Sequence, residues 1–196
     1  MVHFQALVLD FGQVVSSWKP SSNSPVPPKL LKELMTSEIW LDYERGHLAQ
    51  RDCYAKLSDR FGIASSDIAA TIDQARQSIQ TNHQMLEFVQ ELSTVHGLKI
   101  YGMTNTPRPE QSYLQAIADQ YGVFEEIFVS GNLGMRKPEL GFYRLVIEKI
   151  DLPVETIIFV DDNPGNVQAA KLTGMTGLVF RSVEHFAGQM EDPLSD

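Results

Sequence analysis

The strongest constraint on the fold is a repeated form: a short apolar run that stops at a polar residue suited to chemistry. Phe4–Leu9 reads FQALVL and ends at Asp10. Leu98–Met103 (LKIYGM) ends at Thr104 and Asn105. Ile127–Val129 is followed by Ser130 and Gly131, and Thr156–Val160 (TIIFV) by Asp161 and Asp162. A last short run covers Leu178–Phe180. Runs that are apolar almost throughout belong to strands buried on both faces, as in parallel sheets covered by helices. Helical stripes fill the gaps. Glu110–Tyr121 aligns Tyr113, Leu114, Ile117 and Tyr121, and Glu139–Ile150 aligns Phe142, Leu145, Val146 and Ile150. Asn163–Pro164 suits an N-cap and first helical position before a helix over Asn166–Leu172. This alternation predicts an α/β fold of three layers around a parallel sheet.

The stretch from Trp18 to His96 breaks the rhythm. It opens on a Ser/Pro-rich loop, Pro20–Pro28, and continues with helical spacings only. Leu30, Leu31, Leu34 and Met35 make one stripe; Ile68, Ile72, Ala75 and Ile79 a second; Met85, Leu86, Val89 and Leu92 a third. No strand pattern separates them. The expected division is a core of residues 1–15 and 97–190, a helical insertion of residues 16–96 that includes the connecting helix, and a loose polar tail, 191–196.

Composition narrows the functions open to such a fold. With 25 acidic and 16 basic side chains the net charge is -9, a poor basis for binding nucleic acid. No apolar run approaches the ~18–20 residues of a membrane span. The N-terminal apolar stretch lacks a basic leader, so the expected location is cytoplasmic. A single cysteine, Cys53, excludes an intramolecular disulfide and any zinc site of several thiolates.

The polar strand ends carry the chemistry. In an open parallel sheet, ligands bind beyond the C-terminal edge. Asp10, Thr104–Asn105 and Asp161–Asp162 fall there, with Lys137 in the loop after the third strand. Taken singly, an Asp after a strand is ordinarily a turn former or helix cap, and a lone Lys is solvated surface. Taken together they gather three carboxylates, a hydroxyl and an ammonium at one edge. Clustered carboxylates repel and are costly to desolvate, and a hard divalent cation such as Mg²⁺ relieves both. A lysine and a hydroxyl beside that cation suit a phosphate.

The order of these residues resembles the four motifs of the haloacid dehalogenase-like (HAD) superfamily, its phosphatases above all. Asp10–Phe–Gly–Gln–Val14 is similar to the first motif, Met103–Thr–Asn105 to the second, Gly134–Met–Arg–Lys–Pro–Glu139 to the third, and Phe159–Val–Asp–Asp–Asn–Pro–Gly–Asn166 to the fourth. The helical insertion resembles a small C1-type cap, and Glu44–Arg–Gly46 its Glu-x-Gly turn. The resemblance implies a Rossmann-like HAD core with an inserted cap. It also implies hydrolysis of a small organic phosphate, a phosphomonoester or diphosphate, through an aspartyl-phosphate. Asp10 would be the nucleophile, and Mg²⁺ would lie on Asp10, the Gly12 carbonyl and Asp162, with Asp161 a further ligand or an orienting partner. Thr104 and the backbone of Asn105, Gly12 and Gln13 would hold the phosphoryl group, and Lys137 would neutralise charge. Nearest in kind are bacterial sugar-phosphate phosphatases, the phosphatase-like domain of soluble epoxide hydrolases, and HAD-like domains of fungal terpenoid pathways.

One departure stands out. Most phosphatases of this family carry a second aspartate two positions after the nucleophile, as general acid and base. Here that position is Gly12, which cannot move a proton. Two alternatives follow: a catalytically degenerate phosphate-binding or regulatory domain, or the HAD-like domain of a terpenoid diphosphate-processing enzyme, whose leaving group needs less help. A strict haloacid dehalogenase is disfavoured, because it has no use for Asp161–Asp162 as metal ligands. Trp18, Trp40, Tyr43 and His47 are expected near the cap mouth, and Arg45 and His47 could meet an anion.

Overall fold

A computed structural model describes residues 3–19, 21 and 23–194. Residues 20 and 22 of the Ser/Pro loop and 195–196 of the tail lie outside the described residues. In chain order the elements are β1 (Ala6–Leu9), β2 (Ser16–Ser17), α1 (Pro28–Met35), α2 (Glu38–Glu44), α3 (Gln50–Phe61) and α4 (Ser65–Gln77). Then come β3 (Gln80–Thr81), α5 (His83–His96), β4 (Lys99–Thr104), α6 (Ser112–Tyr121), β5 (Phe124–Val129) and α7 (Ser130–Leu133). The chain continues through α8 (Leu140–Ile150), β6 (Ile157–Asp161), α9 (Pro164–Leu172), β7 (Thr176–Val179) and α10 (Val183–Leu194).

The five long-range strands form one parallel sheet in the order β5-β4-β1-β6-β7. The apolar strands are explained by their burial: Ala6 through Leu9 and Ile157 through Val160 are fully buried. Alternate side chains feed two cores. On one face Leu7, Leu9, Ile158 and Val160 pack with Met85, Val89 and Leu92 of α5 and with Phe186 of α10. On the other, Val8, Met103 and Phe159 pack with Phe142 and Val146 of α8 and Val167 and Ala170 of α9. Each such large side chain contributes roughly 1.5–3 kcal/mol. This is the three-layer α/β core that the alternation implied. Asn163 caps α9 as expected, its side chain accepting from Gly165 N at 2.8 Å with Pro164 at the first helical position.

The insertion is a separate helical layer, α1 to α4, with its own core of Leu31, Leu34, Trp40, Tyr43, Leu57 and Ile68. Where no strand was expected, β2 and β3 pair antiparallel, Ser16 with Thr81 and Ser17 with Gln80. This two-residue ribbon sits where the chain leaves and re-enters the core. Its residues are polar and its strands too short for any period to register. Asn82 ties the neck to the core: its N–H donates to Val15 O at 2.8 Å, its side chain donates to Val14 O at 3.0 Å and accepts from Met85 N at 3.2 Å. Ile79 lies beyond α4 rather than on it. Ser78 ends that helix by donating to Ala75 O at 2.7 Å and accepting from Lys19 N at 3.3 Å.

The loose tail expected from Glu191 is also different. Helix α10 runs through Leu194, anchored by buried Val183, Phe186 and Met190 on one stripe.

Candidate active site

β1 lies between β4 and β6, so the C-terminal ends of three adjacent strands bring Asp10, Thr104 and Asp161 to one edge. Lys137 reaches them from the loop between α7 and α8. Its backbone is clamped by the Asn105 side chain, which accepts from Lys137 N at 2.8 Å and donates to Lys137 O at 3.0 Å. The ammonium is buried and bridges two carboxylates, 2.7 Å from Asp10 Oδ1 and 2.7 Å from Asp161 Oδ2.

Asp161 is fully buried and already satisfied. Beyond Lys137, it accepts from Asn163 N at 2.8 Å and from Asn166 Nδ2 at 3.0 Å on both oxygens. Asp10 Oδ1 also accepts from Phe11 N at 2.7 Å. Asp162 is exposed. Thr104 is buried and shares a hydrogen bond of 2.7 Å with the Thr106 hydroxyl.

One ammonium does not neutralise three carboxylates. Burial pushes the Asp10 carboxyl far above its ordinary range; Lys137 opposes this, and the Asp161 and Asp162 charges add to it. Burial, then Asp161, raises Asp162 as well. Lys137 is held charged because Asp10 and Asp161 outweigh the burial that would discharge it. Asp10, Asp161 and Asp162 each present a carboxylate oxygen, and these lie within 4.8 Å of one another. Hard oxygen donors with surplus negative charge fit Mg²⁺.

The charged edge opens into a cavity of about 210 Å³ lined by Asp10, Gly12, Ser16, Thr104, Lys137 and Asn166, among others. A second cavity, of about 120 Å³, lies against the cap and is lined by apolar Trp18, Met35, Trp40, Ile72, Ala75 and Ile79 and by charged Glu44, Arg76 and Glu110, among others. Trp18, Ile79, Asn105, Thr106 and Tyr113 line both, so the two are neighbours that share one wall.

Of the residues marked from the sequence, Asp10, Gly12, Thr104, Asn105 and Lys137 line the polar cavity, with Asp161 and Asp162 beside it. Gln13 does not line it; it is exposed, in a left-handed turn at φ 59°. Trp18 and Trp40 wall the apolar chamber, whereas Tyr43 is buried in the cap core. Arg45 meets no open anion site: it pairs with Glu139 at 2.6 Å and Asp42 at 3.1 Å. His47 is exposed and lies 3.8 Å from Asp42. Ser16, Thr106, Tyr113 and Asn166 were not singled out from the sequence. Asn166 alone left a signal, three residues after the cap Asn163 in the fourth motif.

Cap and core are pinned around these cavities. Arg136 Nε donates to Glu44 Oε2 at 2.8 Å, Ser130 Oγ donates to Glu44 O at 2.7 Å, and Arg76 makes a forked pair with Glu110. Among the described residues, no helix is long and apolar enough to cross a membrane.

The family model for haloacid dehalogenase-like hydrolases matches residues 26–174. A sesquiterpene phosphatase, astK, of Aspergillus oryzae is 38% identical over 175 residues, covering 89% of each chain. The drimenol cyclase drtB of Aspergillus calidoustus is 38% identical over 188 residues; they cover 95% of this chain but only 36% of that longer protein. A HAD family enzyme of Bacteroides thetaiotaomicron, solved as a magnesium complex, superposes with a TM-score of 0.74 at 16% identity, over 96% of this chain and 98% of that one. With its parallel core, helical cap and strand-end aspartates, this chain belongs to the haloacid dehalogenase-like hydrolases.

Proposed function

We propose that the chain is a Mg²⁺-dependent phosphatase acting on a terpenoid phosphate or diphosphate. The observation that carries this is the adjacency of the two cavities, which share Trp18, Ile79, Asn105, Thr106 and Tyr113. A charged pocket at the sheet edge adjoins a second one, part of whose wall is formed by Trp18, Met35, Trp40, Ile72, Ala75 and Ile79. The charged groups on that wall are already paired, Glu44 with Arg136 and Arg76 with Glu110, so its Trp, Met and Ile side chains are the face offered to an organic group. The names of the two fungal relatives support the same substrate class. The helical layer α1 to α4 then acts as the cap that selects the organic group.

Asp10 attacks phosphorus in line and forms an aspartyl-phosphate. Thr104 and the Gly12 N–H hold phosphoryl oxygens, and Lys137 neutralises charge on the transferring group. Asp161 keeps Lys137 in place, because its own oxygens are occupied by Lys137, Asn163 and Asn166. Mg²⁺ held by Asp10, the Gly12 carbonyl and Asp162 would offset the repulsion between an anionic nucleophile and an anionic substrate. Water then releases phosphate from Asp10. The protein works in the cytoplasm on a small molecule, with no nucleic acid or membrane partner.

The test is phosphate release with Mg²⁺ from farnesyl phosphate, farnesyl diphosphate and a panel of sugar phosphates. Farnesyl substrates are expected to exceed the sugars by at least about tenfold in kcat/KM. Asp10→Asn is expected to abolish release from all of them. Preference for sugar phosphates would refute the substrate class.

A further inference from the structure

An alcohol leaves phosphorus as a poor leaving group unless its oxygen receives a proton. Gly12 cannot supply one. Space is not the reason: a Cβ at Gly12 would meet nothing nearer than Asp10 Oδ2 at 3.7 Å. The proton must come from elsewhere on the wall.

Geometry limits where. With phosphorus at Asp10 and the organic group in the apolar chamber, the scissile oxygen lies at their junction. Trp18, Ile79, Asn105, Thr106 and Tyr113 border both spaces. Trp18 and Ile79 carry no acid. Asn105 spends its amide on the Lys137 backbone. Thr106 shares its hydroxyl hydrogen bond with Thr104. The carboxylates on the chamber wall are tied up, Glu44 with Arg136 and Trp40, and Glu110 with Arg76. Tyr113 remains. It lines the polar cavity beside Ser16 and Thr106 and the cap-side cavity as well.

We propose that Tyr113 donates the proton to the leaving-group oxygen, in place of the acid absent at Gly12. This rests on the phosphatase reading and deepens it. As the Asp10–phosphorus bond forms and the phosphorus–oxygen bond to the alcohol breaks, the phenol proton passes to the alkoxide oxygen. The phenolate then takes a proton from the water that attacks the aspartyl-phosphate. Phenol and carboxylate are both restored, and the net change is ester plus water to alcohol plus phosphate. Burial, opposed by the Thr106 hydrogen bond and aided by the Asp10 charge, pushes the phenol up to about 12, so the donor starts protonated.

The experiment measures kcat/KM with Mg²⁺ for p-nitrophenyl phosphate, phenyl phosphate and farnesyl phosphate, in order of worsening leaving group. Tyr113→Phe is expected to lose about 100-fold on phenyl and farnesyl phosphate but less than about 3-fold on p-nitrophenyl phosphate. Gly12→Asp in the Tyr113→Phe background is expected to restore the poor leaving groups. Ser16→Ala, which keeps the phenol but removes a hydroxyl that lines the same cavity beside it, is expected to steepen the dependence in the same sense and serves should Tyr113→Phe not fold. Equal losses on all three substrates, or none, would overturn the assignment of Tyr113 while leaving the phosphatase reading intact. Wild-type protein no more active than Asp10→Asn on every substrate would overturn that reading, and the proton donor with it.

Discussion

Lys137 is the residue on which the site balances. It is buried with one ammonium shared between Asp10 and Asp161, while Asp162 adds a third negative charge nearby. The protein therefore folds with charge that it cannot satisfy by itself, and this has a measurable sign. Asp10 is pushed from 3.8 to about 7, chiefly by burial. Between those values the folded state holds a proton that the unfolded chain has lost. The stability linked to this group is thus complete below the ordinary value and is lost as pH rises towards 7. In EDTA, the Tm of the wild type is expected to fall more steeply from pH 4 to 7 than that of Asp10→Asn. At pH 7, Mg²⁺ is expected to raise the wild-type Tm, because it binds the folded state alone. Thermal melts across pH, with and without metal, check both. At this scale Asp10, Thr104, Lys137 and the Asp161–Asp162 pair were legible, because each stands at a strand end or in a distinctive run. Tyr113 was not. On sequence it is one apolar position in the α6 stripe, and only its place between two cavities sets it apart.

The elements show where pattern suffices and where it does not. Strands β1, β4 and β6 are apolar on both faces and were visible as such. The β2–β3 neck is polar and two residues long, and is held by pairings across the whole insertion, from Ser16 to Thr81. No local period encodes such a pairing. The stripe Val183, Phe186 and Met190 was present in the sequence but ran into polar residues, which hid α10. The turn after α2 is a sharper case. Gly46 has φ 76°, and a Cβ there would lie 2.1 Å from Gly131 O. The cap touches the core backbone at this point, so only glycine fits. Gly46→Ala is expected to destabilise by about 1–3 kcal/mol in urea unfolding. It should also lower turnover, since Glu44, which holds Arg136, lies two residues away.

At the scale of the molecule, the cap and the sheet edge each supply half of a binding site. The core presents carboxylates, lysine and hydroxyls; the cap presents an apolar wall. Three cap-to-core ion pairs, Glu44–Arg136, Arg45–Glu139 and Arg76–Glu110, hold the halves together. If the wall selects a terpenoid group, charging it should separate binding from chemistry. Met35→Glu places a carboxylate on the chamber wall, away from Asp10. It is expected to lower kcat/KM for farnesyl phosphate by at least about tenfold, mostly through KM, while p-nitrophenyl phosphate changes by less than about 3-fold. Steady-state kinetics on the two substrates decide it.

The sequence by itself determined the layered α/β core, the helical insertion and the identity of the charged residues at the sheet edge. Those follow from local hydrophobic period and from strand ends, which the chain order records directly. Only the tertiary structure decided that Asp161 is spent on Lys137 and Asn166, that the Gln13 side chain is exposed, and that the polar cavity at the sheet edge shares a wall with a second cavity under the cap. Each depends on which side chains from distant segments meet, and such contacts have no local period to announce them.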